Sequence, residues 1–142
     1  MRVVRSLTFA ASLVATGLAA SGPGLGVRVT PPVGSANTTF TVSFRVPQST
    51  GSHSGVRRYD QLTGSTAAGG GCIATFSVRA PDAGAGTRVA VTLDPRLLGG
   101  SWCRGTYAGR IDELQSPICS AGHACPMYVL LRPLGRFSLR ID

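Results

Sequence analysis

Thr39-Phe40-Thr41-Val42-Ser43-Phe44-Arg45-Val46 alternates polar and apolar side chains without a break until Pro47. Successive side chains of an extended chain point to opposite faces, so Phe40, Val42, Phe44 and Val46 share one side and the Thr, Ser and Arg residues the other. A strand of this kind buries one face and leaves the other in water. The same period recurs on both sides of it. Upstream, Val27 and Val29 open a short strand that Pro31-Pro32 stops, since proline has no amide to give to a ladder. Downstream, residues 48–55 are polar and turn-forming, Val56 to Leu62 forms a weaker strand around Tyr59, and Gly64 to Gly71 is a glycine-rich loop. Cys72 to Val78 then faces Cys72, Ala74, Phe76 and Val78 inward; after a turn at Pro81-Asp82-Ala83-Gly84, Arg88 to Leu93 does the same with Val89, Val91 and Leu93. Cys103 to Ile111 follows, Tyr128 to Leu131 is a further extended piece, and the chain closes on Phe137, Leu139 and Ile141. Turn signals about every ten residues and no helical period beyond the N-terminus predict an all-β antiparallel sandwich of seven to eight strands. Sheets that each bury one face explain why single-sided alternation recurs instead of continuous apolar runs.

The N-terminus reads differently. Arg2 and Arg5 precede an uncharged, mostly apolar stretch from Leu7 to Ala20, with small residues at Ala19-Ala20-Ser21. These are the three parts of a secretory signal. The apolar part, about fourteen residues, is shorter than the roughly 20 needed to cross a bilayer as a helix. We expect residues 1–20 to be a signal peptide cleaved near residues 19–22 and residues 27–142 to form one domain. No cysteine at the junction calls for a lipid anchor, and no later apolar run is long enough to span a membrane. The expected address is extracellular or at the cell envelope.

Composition agrees with that address. The chain carries 14 basic residues, all Arg, against six acids, for a net charge of +8. Removing Arg2 and Arg5 leaves twelve arginines and a charge near +6 on about 120 residues, which suits one core. The absence of Lys points to codon bias in a GC-rich genome. The arginines are scattered, mostly one per strand, as on solvated strand faces. A specific nucleic-acid site is therefore not expected; salt-sensitive attraction to an anionic cell-wall polymer or membrane, or contact with a secreted protein, is. The cysteines at 72, 103, 119 and 125 read as two disulfides in an oxidising compartment. Of the three possible pairings, Cys72–Cys103 with Cys119–Cys125 is favoured. In the chain-entropy picture these contribute about 3–4 and about 2 kcal/mol.

Cys103-Arg104-Gly105-Thr106-Tyr107-Ala108-Gly109 resembles the sixth strand of immunoglobulin-like domains, which read Asp-x-Gly-x-Tyr-x-Cys there. Gly105 and Tyr107 match; Cys103 stands at the Asp position and Gly109 at the Cys position. The resemblance implies an immunoglobulin-like or fibronectin III-like sandwich, a tyrosine corner at Tyr107, and a disulfide moved toward the entrance of the strand. Val89, Val91 and Leu93, followed by a turn through Gly99-Gly100, fit the strand before it. Trp102-Cys103-x-Gly105-x-Tyr107-x-Gly109, with a late Cys and a terminal Arg-Phe-x-x-Arg, also looks like small secreted single-domain proteins of actinobacteria. Locally, Cys125-Pro126-Met127-Tyr128 is similar to the reactive-site segment of Streptomyces subtilisin inhibitors. That similarity implies Met127 as the residue presented to a protease, although this Cys is the last in the chain whereas the family has another beyond it.

Few residues carry chemistry. His53 and His123 sit in polar loops without a Gly-x-Ser-x-Gly elbow, so no catalytic triad is expected. Asp112 and Glu113 are adjacent and point to opposite faces of a strand. Cys119, His123 and Cys125 would offer three ligands where zinc takes four, and the disulfide reading is preferred. No metal or cofactor is expected. Trp102, pointing away from Cys103, is a candidate binding platform together with Met127 and Tyr128; Tyr59 is a further aromatic candidate, and core packing is the ordinary alternative for such rings. The expected function is a non-enzymatic binding or structural module, with protease inhibition through Met127 as the alternative.

Overall fold

The computed structural model describes residues 24–48, 55–122, 124 and 129–142. The alternating segment Thr39 to Val46 contains strand β3 (Phe40–Arg45), and Phe40, Val42 and Phe44 are fully buried. It lies between β1 (Arg28–Thr30) and β6 (Arg88–Leu93), both antiparallel to it, with Phe40 opposite Leu93 and Arg45 opposite Arg88. Val89, Val91 and Leu93 join the buried face. These three strands form one sheet.

The second sheet holds β2 (Val33–Gly34), β8 (Leu130–Ile141), β7 (Gly105–Pro117), β4 (Val56–Ser65) and β5 (Thr75–Arg79), in that spatial order. All its pairs are antiparallel except β2 with β8, which departs from the purely antiparallel expectation. The cause is the proline pair. Pro31-Pro32, entered through a cis Thr30–Pro31 peptide, ends β1, and the next residues pair with the other sheet. The two sheets pack into an all-β, sandwich-like fold without a helix among the described residues, and no described helix is long and apolar enough to cross a membrane.

Aromatic rings fill the space between the sheets. Trp102 meets Phe40, Phe76 and Tyr107 edge-on, with ring centroids 5.4–6.0 Å apart. Phe76 and Phe137 lie 6.4 Å from each other. Two glycines make room for them. Gly64 and Gly109 face each other across β4 and β7, and a Cβ on either would collide with Phe76 or Phe137 respectively. Gly64 therefore belongs inside a strand, not at the start of the predicted loop. Glycine occupies position 109 because the Phe137 ring lies where a Cβ would stand.

Cys72 and Cys103 form a disulfide with 5.0 Å between Cα atoms, the pairing favoured from sequence. Both residues lie outside the strands, since β5 starts at Thr75 and β7 at Gly105. Cys119 is disulfide-bonded as well, and Cys125 lies outside the described residues. β7 and β8 run well past the expected ends. β7 continues through Asp112 and Glu113 to Pro117 because β4 pairs with it residue by residue from Ser65 back to Val56. β8 absorbs one extra residue, Leu134, where its register shifts opposite Ile111 and Asp112. This is a bulge, which lets a long strand bend and twist.

Candidate functional site

Along β7, Tyr107, Gly109 and Ile111 are buried while Thr106, Ala108 and Arg110 are exposed, so one side of the five-stranded sheet forms core and the other faces water. Register decides what gathers on the water side. Arg110 on β7 stands directly opposite Arg136 on β8, and Thr106 directly opposite Arg140. Arg104, just before β7, joins Arg140, Thr106 and Asp142 around an open concavity of about 430 Å³. Arg57 of β4 and Arg79 of β5 lie on the same face, among the small side chains Thr63, Ser65, Thr75, Ser77, Ala108 and Ser138. Sequence parity places each arginine outward. Only the pairing brings them together.

The charges on this face are poorly balanced. Arg110 donates to Asp112 at 3.0 Å, and Asp112 is buried with its Oδ1 lacking a hydrogen-bond partner among the described residues. Arg140 pairs with Asp142 at 2.9 Å and Arg79 with Asp82 at 3.0 Å, all four side chains well exposed. Exposed pairs of this kind contribute little, about 0–1 kcal/mol. Arg79 also lies over the Tyr59 ring, 4.7 Å from its centroid. Among the described residues Arg136 has no acidic partner, and its direct neighbour is another arginine. Like charges directly opposite across strands are unfavourable by themselves. Two guanidinium groups on strands about 5 Å apart become favourable when a phosphate or carboxylate sits between them, because each presents planar, paired donors.

Asp112 and Asp142 pair with arginines of this face, and two other acids lie on its reverse. Asp60 and Glu113 are directly opposite each other on β4 and β7. With Arg58, Val46 and Pro47 they line a cavity of about 220 Å³. Glu113 is buried and accepts from Gln115 at 2.7 Å. Burial, and then the facing Glu113, push the Asp60 carboxyl above its ordinary value. Among the described residues no three His, Cys, Asp or Glu side chains converge as metal ligands.

The Tyr107 hydroxyl accepts the Cys103 amide at 2.7 Å and donates to the Ile73 carbonyl in a short bond. Burial pushes this phenol above its ordinary value. Gly105 has φ of 126°, in the region that favours glycine, and turns the chain from the disulfide into β7. Trp102 is a correction. It is 2% exposed, and its indole N–H donates to the Thr38 carbonyl at 2.8 Å, so it is a core ring and not a binding platform. Met127, Tyr128, Pro126, His53 and His123 lie outside the described residues. Compared with known proteins, the chain matches no family model, no curated protein and no solved structure.

Proposed function

We propose that the chain is an exported, immunoglobulin-like module that binds anionic material of the cell envelope without catalysis, through the outer face of the five-stranded sheet. The observation that carries this reading is the direct opposition of Arg110 and Arg136, flanked by Arg104 and Arg140, with the small side chains Thr63, Ser65, Thr106, Ala108 and Ser138 beside them. A flat field of this kind accepts a linear polyanion such as a wall polymer: guanidinium groups take its charges and hydroxyls fill in between.

The immunoglobulin-like reading is supported by strand order. In those domains the first, second and fifth strands share one sheet and the third, sixth and seventh the other. The same connectivity results here if β1 and β2 count as one strand divided between the sheets and β5 as an added edge strand beside β4. The Tyr107 hydroxyl, bonded to backbone four residues upstream, supports it as well. Export is supported by the charged and apolar leader and by the Cys72–Cys103 bridge, which suits an oxidising compartment.

The test is retention on immobilised polyphosphate. R136Q/R140Q should weaken binding about tenfold, as loss of two charge-assisted contacts predicts. R28Q/R45Q removes the same charge from the outer face of the other sheet and should leave binding close to that of the parent. Equal losses in both variants would reduce the interaction to net charge and remove the site.

A further inference from the structure

The arginine face does not end in polar side chains. Toward the far end of β7 and β8, the register places Tyr59, Leu114 and Leu131 in one row across three strands, on the same face as Arg110 and Arg136. Ile118 directly follows β7 and Val129 directly precedes β8 at that end of the sheet. Leu131 is 54% exposed, Val129 55% and Ile118 59%, three of the large exposed apolar side chains of the described residues. Arg57 lies beside them, opposite Ser116. Leu114 is four residues from Arg110, roughly 13 Å along the strand. One row, Gln61, buried Asp112 and Pro133, separates them, so cationic and aliphatic side chains share one side of one sheet.

A hydrated polyanion rewards the arginines and offers nothing to the aliphatic side chains. A bilayer surface rewards both, because head-group phosphates lie within a few ångströms of the acyl boundary where apolar side chains enter. We infer that the anionic partner is the surface of a lipid bilayer containing anionic phospholipid. Ile118, Val129 and Leu131 enter the acyl boundary, and Arg110, Arg136 and Arg140 hold head-group phosphates. This inference rests on the arginine-face reading above and makes it specific. It also predicts a salt signature: the charged contacts are screened by added salt and the apolar ones are not.

The experiment is flotation of the protein with phosphatidylcholine vesicles that contain or lack phosphatidylglycerol, alongside binding to soluble polyphosphate. The parent should float with phosphatidylglycerol vesicles and not with phosphatidylcholine alone. I118S/V129S/L131S, all surface changes, should lose at least about tenfold in vesicle affinity while keeping its polyphosphate affinity. R136Q/R140Q should lose both. Should the triple variant float like the parent, the apolar end plays no part and the inference falls. Binding to polyphosphate without flotation makes the partner a soluble or wall polyanion, overturning the inference while the arginine face stands. Binding to neither overturns both.

Discussion

The Tyr107 hydroxyl links the Cys103 amide to the Ile73 carbonyl, two backbone groups on either side of the Cys72–Cys103 bridge. Tyr107→Phe leaves both without that partner in a buried setting and should cost about 1–3 kcal/mol, read from the urea midpoint. Asp60 gives a pH-dependent expectation. Its carboxyl is raised above 3.8 in the folded chain, so folding favours the protonated form. That contribution is fully present below the unfolded value and is lost as pH rises through the folded one. Asp60→Asn should therefore match the parent below that window and be more stable above it, in urea titrations across acid to neutral pH; parallel profiles would contradict the assignment. Arg136 separates binding from folding. Because it faces Arg110, Arg136→Gln should leave the thermal midpoint unchanged or slightly raised while anion binding falls. At this scale the sequence was informative where a residue's conformation or partner is local: Gly105 and Tyr107 stand out as a pair. Trp102 did not, since a tryptophan beside a disulfide reads as a platform or, more commonly, as core, and only Thr38 and Phe40 lying against it decide.

Strands β3 and β6 were legible almost residue by residue because each buries one clean face. β4, β7 and β8 were legible only in their core halves. Past Leu62 and Ile111 the apolar alternation is replaced by Gly64, Asp112 and Glu113, and pairing with neighbouring strands, not side-chain pattern, extends the ladder. β2 has two residues and takes its identity wholly from the pairing with β8. The facing glycines of β4 and β7 supply the prediction for this scale. Gly109→Ala places a methyl group against the Phe137 ring, and neither ring nor sheet can withdraw far in a close-packed core. A loss of about 1–3 kcal/mol is expected, measured by thermal or urea unfolding. A neutral effect would mean that Phe137 is free to move.

Over the whole molecule, a core of limited size is stapled by the Cys72–Cys103 bridge, so reduction should lower stability by about 2–5 kcal/mol, visible as a drop in the thermal midpoint under reductant. The arrangement of charge was the part hidden from sequence reading. Arginines spaced one per strand read as ordinary solvated faces; that Arg110 meets Arg136, and that both share a face with Arg104, Arg140 and the aliphatic end at Leu131, follows from register, which no single strand encodes. Asp60 and Glu113 lie on the reverse of the sheet, while on its outer face Asp112 is buried beside Arg110 and Asp142 follows Arg140, so arginine stays in excess there. Titration of the isotope-labelled protein with polyphosphate, followed by amide chemical shifts, tests this claim most directly. The account predicts perturbations concentrated on Arg104 to Asp112 and Arg136 to Arg140, fading with added salt. Shifts spread evenly over both sheets, or centred on the three-stranded sheet, would contradict it.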